Sequence, residues 1–346
     1  MTRTSFSKPP IKDPLFEEVS PSRDTPCYFP LAGGRYEIKP GFIPLGQDLG
    51  NGPADAQVFQ FDSNFNTYHR VKMRARSESL HKYFQTRDFP PATTAAINRF
   101  IIERLLQEHP NRFRMDDAAD GPIVLHCAPN GATLRYSQNR ISVEENDAKP
   151  SHISLFDALA CQVQEDLCVI CRRPDGTDWL AAVHLCFPSH WAAGDKIGRA
   201  FNQVHAPVAG MAGLNRNAKT LVGAMIERDP FVRFSWGLGT DARLNHHPEH
   251  PPGVDPVHWT GRSFDPANPR LFLRIERQVI WGFPKHQAAL FAIRTYFTSC
   301  DSLAPDQQLA LAAAIQSMTP ASLAYKGLAQ SRNQILHWLQ ERANHP

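Results

Sequence analysis

Cys168 and Cys171, in DLCVICRR, have the spacing of a zinc half-site or a redox dithiol, and with a histidine next they would read as a haem-attachment motif. The next residue is Arg172, which excludes that last chemistry. On a strand, residues three apart point to opposite faces, so the pair cannot chelate or close a disulfide without leaving β geometry. It reads as two buried structural thiols. A second group, His246, His247, Glu249, His250, Asp255 and His258, offers enough ligands for zinc, but its spacing matches no standard zinc pattern, and a surface loop is the simpler reading. The stretch HLCFPSHWAAGDKIGRAFNQVHAPVAG, residues 184–210, holds three histidines. His184 shares a strand face with Ala182 and Cys186, His190 follows the strand end at Pro188, and His205 precedes Pro207. Spacing alone does not choose a ligand among them. There is no G-x-G-x-x-G, Walker loop, G-x-S-x-G or H-E-x-x-H motif, so the common nucleotide-binding and hydrolase chemistries lack support.

Two long alternating runs carry further polar groups. In RLFLRIERQVI, period-2 alternation puts Phe272, Arg274, Glu276 and Gln278 on one face and Leu271, Leu273, Ile275 and Val279 on the other. The run after the turn PKHQ adds Arg294 and Tyr296 on one face and Phe291 and Ile293 on the other. Aligned Arg/Glu and Arg/Tyr groups on adjacent strands make either a solvated face or a polar site, and a buried glutamate there needs a nearby arginine to stay ionised.

The elements that position these groups follow from periodicity and breakers. Residues 92–109 place Ile97, Phe100, Ile101, Leu105 and Leu106 on one helical face, with Thr93 or Thr94 as cap and Pro110 as stop. A short helix is expected over 155–166, then a β-hairpin around Asp175-Gly176, a helix over 212–228 and a strand at PFVRFSWGL. A proline-rich loop, the two long strands and two closing helices complete the chain. Residues 1–55, rich in proline and glycine, read as an extended arm, 56–330 as the body and 331–346 as a C-terminal helix. The expected fold is one large α+β domain on an antiparallel sheet with flanking helices.

Composition narrows the partners. Lys+Arg 37 against Asp+Glu 34 leaves a net charge of +3 with the charges interspersed, so nucleic acid is not the default partner. No run approaches the roughly 20 apolar residues of a membrane span, and the opening residues lack a signal-peptide core, so a cytoplasmic protein is expected. The 7 cysteines, scattered in apolar sequence, are expected to be reduced and mostly buried.

The ordered blocks VQEDLCVICRR, CFPSHWAAGDKIGRAFNQVHAPVAG, LRIERQVIWGFPKHQAALFAIRTYF and YKGL resemble the α-subunit family of the haem-dependent oxidative N-demethylases, also described as dimethylamine monooxygenase subunits, from about residue 40 to Leu328. The resemblance implies a PAS-like antiparallel sheet that binds haem b non-covalently. It implies a monooxygenase that uses O2 to oxidise an N-methyl group of a small secondary amine, giving primary amine and formaldehyde. Electrons would come from NADPH through separate flavin and iron–sulfur reductase subunits. The family block IHAPVP matches VHAPVA here, which singles out His205 as the axial ligand of the haem iron. Lys196, Arg199 and Arg294 are then candidates for the haem propionates, Glu276 and secondarily Asp166 for the substrate ammonium, and Tyr296 for a hydrogen bond in the pocket. The chain reads FSWGLG where the family more often reads SNWSLS, PVAG for PVPG, and carries its own NHHPEHPPGVDPVHW segment. These departures bear on the substrate more than on the fold. The competing expectation from another class is a PAS-type haem or small-molecule sensor, or a subunit without catalysis; only one helix is expected after Leu328, with no output module.

Overall fold

The structure of the chain, a computed structural model, describes residues 13–116, 123–137, 140–144 and 150–344. In chain order its strands are β1 (Ile43–Pro44), β2 (Phe84–Thr86), β3 (Phe113–Asp116), β4 (Ile123–Cys127), β5 (Ala132–Ser137), β6 (Arg140–Glu144), β7 (Glu165–Arg172), β8 (Asp178–His184), β9 (Phe231–Gly239), β10 (Phe272–Phe283) and β11 (Ala288–Ser299). The helices are α1 (Phe65–Tyr83), α2 (Pro91–Glu108), α3 (Leu155–Ala160), α4 (Phe201–Val204), α5 (Ala212–Arg216), α6 (Ala218–Glu227), α7 (Pro256–Thr260), α8 (Pro305–Gln316), α9 (Pro320–Tyr325) and α10 (Arg332–Asn344). Seven strands form one antiparallel sheet in the order β1-β9-β10-β11-β7-β8-β2, and β3 to β6 form a second. The chain is thus the expected α+β domain with a large antiparallel sheet and helices around it. Among the described residues no helix is long and apolar enough to cross a membrane.

The two long alternating runs pair from Phe272 opposite Ser299 to Phe283 opposite Ala288, around the turn at 284–287. This register sets Glu276 opposite Thr295 and Arg277 opposite Arg294. Arg274, Glu276 and Gln278 therefore share a face with Phe291 and Ile293, whereas Arg294 and Tyr296 lie on the other face beside Arg277. The two aligned polar sets do not meet. The β7/β8 hairpin turns through Gly176 at φ +82. Its alternation sends Cys168 into the cluster with Leu180 and Met225, and Cys171 into the opposite one with Trp179 and Leu290. All seven cysteines are free, and only Cys27 is exposed.

Each face of the large sheet has its own helical cover. On one side Ile97, Ile101 and Leu105 of α2 and Phe156 and Leu159 of α3 pack with Leu167, Val169, Val279 and Leu290. Helices α8 and α10 extend that cover over Leu273 and Ile275. On the other side the short helices α4 to α6 bring Phe201, Val222, Met225 and Ile226 over Ile170, Leu180 and Ile280.

Some elements differ from expectation. Helix α2 starts at Pro91, with Pro90 in the cap position and no capping threonine; proline at the first helical position lacks only an N–H that has no partner there. The helix expected over 155–166 stops at Ala160, because Glu165 and Asp166 are taken up by β7 against Arg294 and Ile293. Residues 212–228 divide into α5 and α6 at Asn217. The histidine-rich segment is not all surface loop: Asp241, Arg243, Asn245, His246 and His247 are buried, and exposure begins at Pro248 and Glu249. Arg274 Nη1 donates to the Leu244 carbonyl at 3.0 Å and Trp259 Nε1 to the His247 carbonyl at 2.6 Å, which ties the segment inward.

The seat of α6 depends on one glycine. A Cβ built at Gly282 on β10 would stand 2.2 Å from the Ile226 carbonyl oxygen, so the helix rests on bare strand backbone. Gly282→Ala is expected to cost about 1–3 kcal/mol through forced displacement of α6. A denaturation midpoint unchanged from the parent would show that α6 is free to lift.

Candidate functional site

Between the sheet face of Arg274, Glu276 and Gln278 and the cover of α4 to α6 lies a cavity of about 1030 Å³. That volume is at the upper end of the range for small-molecule and cofactor sites, about 300–1,000 Å³. One end is apolar, walled by Phe201, Met211, Leu221 and Met225 from the helices and Phe291 and Ile293 from β11. The other end is polar.

His205 stands at the apolar end, just past the last residue of α4. The helix is a single turn, pinned at its start where the Phe201 N–H donates to Asp178 Oδ2 at 2.5 Å. Its end is pinned where His205 Nδ1 donates to the Phe201 carbonyl at 2.8 Å, with the two rings 4.2 Å apart. A proton held at Nδ1 leaves the lone pair on Nε2. Burial lowers the imidazole pKa to about 4, aided by the charges of Lys196 and Arg233, so the ring is neutral at physiological pH. A neutral imidazole with one nitrogen fixed by a carbonyl is the form in which histidine ligates a metal.

The polar end is rich in cations. Lys196, Arg233, Arg262, Arg274 and Lys326 line it, against the carboxylates of Glu276 and Asp241. Asp241 is already paired with Arg243 at 2.8 Å, and at the mouth Glu37 is paired with Lys39 at 2.8 Å. Glu276 lies 3.7 Å from Arg274 Nε and accepts from Gln278 Nε2 at 3.1 Å. Arg233 Nε and Arg262 Nε are buried and have no hydrogen-bond partner among the described residues. Burial lowers the pKa of both arginines, and that of Lys326 to about 8, while the charge of Glu276 offsets part of this for Arg233 and Lys326. Lys326 donates to the Trp236 carbonyl. Buried cations with free donors favour an anionic occupant with more than one acceptor.

The residues expected from sequence are thus only partly brought together. His205, Lys196 and Glu276 line the cavity, and Lys196 Nζ also lies 4.5 Å over the Trp191 ring. Arg199 is exposed and is not among the lining residues. Asp166 accepts the N–H groups of Cys186 and Phe187 at 2.8 and 2.9 Å, so it fixes the turn into Pro188 and His190. Burial raises its carboxyl pKa to about 6. Arg294 is bound to Asp62 at 3.0 Å on the far face, and the Tyr296 hydroxyl donates to Gln60 there. His184 is buried, with Nε2 3.1 Å from Asp157, itself clamped by Arg76 at 2.7 Å.

Arg233, Arg262 and Lys326 are absent from the expected set. Arg233 had a signal, the alternation Phe231, Arg233, Ser235 within a recognised strand. Arg262 and Lys326 sit outside regular alternation, and only the block YKGL marked the second.

The cavity, its neutral histidine and its unpartnered arginine donors agree with the comparison with known families. Residues 52–336 match the family described as haem-dependent oxidative N-demethylase, alpha subunit-like, and the chain belongs to this family of haem-dependent oxidoreductases.

Proposed function

We propose that this chain is the haem-binding, substrate-oxidising subunit of an enzyme that removes a methyl group from a small secondary N-methylamine such as dimethylamine. The balanced reaction is R–NH–CH3 + O2 + 2 e⁻ + 2 H⁺ → R–NH2 + HCHO + H2O, with electrons from NADPH through separate flavin and iron–sulfur subunits. The observation that carries the reading is His205, a neutral imidazole with Nδ1 fixed by a carbonyl and Nε2 left for iron at the apolar end of a cofactor-sized cavity. Bound haem b would supply the redox chemistry, the activation of O2 and the oxidation of the N-methyl group. Arg233, Arg262 and Lys326, with Lys196 nearer His205, would hold its two carboxylates. The apolar wall would exclude water from the ring face.

Glu276 would bind the substrate. A protonated secondary amine entering this cavity needs a carboxylate partner. Asp241 and Glu37 are each held in an ion pair at 2.8 Å, whereas Glu276 stands 3.7 Å from Arg274 Nε, which makes Glu276 the carboxylate placed to pair with the ammonium. Glu276→Gln is expected to leave haem content unchanged and raise KM for the amine roughly 10- to 100-fold, the equivalent of losing one charge-assisted hydrogen bond. An unchanged KM would remove Glu276 from this role. The reading as a whole is tested by the visible spectrum of the purified protein with and without dimethylamine. A Soret band that shifts with amine is expected, and a colourless protein that cannot be reconstituted with haem would end the proposal.

A further inference from the structure

On the α2/α3 side of the large sheet, away from the main cavity, four side chains with metal-ligand chemistry converge. One nitrogen of His152, one carboxylate oxygen of Asp157 and the Sγ of Cys161 all lie within 4.8 Å of one another. His184 joins them, with its Nε2 3.1 Å from Asp157 Oδ1 and 3.9 Å from Cys161 Sγ. Asp157, Cys161 and His184 are fully buried, and the side chain of His152 is only 1% exposed. None of the four lines the main cavity.

Three pieces of chain deliver these groups. Asp157 and Cys161 stand four residues apart at the end of α3, so they share one side of the helix. His184 ends β8, opposite Leu167 of β7 and Phe84 of β2, which sets it on the sheet face that α3 covers. His152 belongs to the segment that leads into α3, and that segment is tied down at two points. Arg76 Nη1 donates to the Pro150 carbonyl, and the Ile153 N–H donates to Asp157 Oδ2, each at 3.0 Å. Outer groups orient the set as they do around metal ligands. Arg76 Nε and Nη2 fork onto Asp157 at 3.1 and 2.7 Å, and Nδ1 of His184 faces Cys186 Sγ at 3.9 Å.

We propose that His152, Asp157, Cys161 and His184 bind a structural zinc ion. One thiolate, two imidazoles and one carboxylate form a borderline-soft donor set that suits zinc, and four protein ligands leave no position open for a substrate. Tetrahedral bonds of about 2.0–2.3 Å place ligand atoms about 3.3–3.8 Å apart. The two distances to His184 already bracket that range, and the widest separation in the set needs to close by about 1 Å. On binding, the Cys161 thiol loses its proton to solvent, and the direct contact of His184 with Asp157 is replaced by the shared ion. Asp157 keeps its fork to Arg76, which holds the carboxylate in the ionised form that a metal requires. The ion would fasten α3 and the segment before it to β8, whose opposite face carries Leu180 into the wall of the main cavity.

The test is metal analysis of the untagged full chain purified from zinc-supplemented growth. About one zinc per chain is expected, and its K-edge absorption spectrum should show one sulfur at about 2.3 Å with nitrogen and oxygen neighbours at about 2.0–2.2 Å. Cys161→Ser and, separately, His152→Gln should weaken zinc binding by more than the roughly 10- to 100-fold that loss of an outer-shell partner costs. Cys27→Ser, at the exposed thiol, and His258→Ala, in the exposed part of the histidine-rich segment, should keep the parent zinc content. His152 lies outside the helices and strands, so its variant decides the matter if Cys161→Ser does not fold. Parent protein that holds no zinc and takes none up when it is added, zinc without a sulfur neighbour, or parental zinc affinity in His152→Gln would overturn the site. The four ligands stand apart from the haem cavity, so these outcomes do not depend on the proposed reaction.

Discussion

His205→Ala is expected to abolish the Soret band of the purified protein while leaving its folding intact. His205 is the neutral imidazole at the apolar end of the cavity, and its own tether to the Phe201 carbonyl is local to one helical turn. Loss of the side chain would therefore remove the nitrogen proposed to hold the haem without opening the core. Added imidazole should restore part of the band, which a residue with a merely structural role would not allow. His258→Ala, at an exposed position of the histidine-rich segment, should keep the full band. The pH dependence follows from the lowered pKa. The neutral form binds iron, and because burial holds the ring near 4, haem retention should be flat from neutral pH to about 5 and fall only as protons compete for Nε2 near 4. An alanine variant with an unchanged Soret band would reassign the ligand.

The parts legible in sequence were those governed by short-range periodicity. The long hairpin, its turn at 284–287 and the opposite facing of Cys168 and Cys171 follow from alternation with period two. Alternation says which residues of one strand share a face, but not which face of the sheet will meet a cavity. That is why Glu276 and Arg294 could be grouped from sequence although the register sends them to opposite sides. Helix α1 was missed for a related reason: Lys72 and Arg76 are buried among Phe65, Tyr68, Val71 and Ala75 and interrupt the apolar pattern of its inward face. The second sheet was missed because its strands β3 to β6 span only four to six residues each. The helical arginine Arg76 makes its buried pair with Asp157 across more than eighty residues, a distance at which a single sequence carries no pairing signal.

Arg294→Met is expected to destabilise the protein by about 3–5 kcal/mol and to leave the Soret band in place, because removing one partner strands a buried charge on the other. Arg294 and Asp62 are each only 1% exposed, and the guanidinium also lies 3.9 Å over the Tyr68 ring. Burial alone would raise the Asp62 carboxyl pKa; Arg294, with hydrogen bonds from Gln164 and Thr25, outweighs it and holds the pKa below the usual carboxylate value. A lowered carboxylate pKa contributes stability that is present at neutral pH and is lost as pH falls through the folded value. Without Arg294, Asp62 takes up its proton at higher pH, so the gap between parent and variant should narrow as the pH falls through the carboxylate range. Asp62→Leu combined with Arg294→Met should recover much of the loss, since an apolar pair leaves no stranded charge. The spectrum separates two sites for the same arginine. A haem-carboxylate ligand would change haem affinity at little cost to stability, whereas a strut on the far face does the reverse. Parental stability with a lost Soret band would put Arg294 back in the cavity.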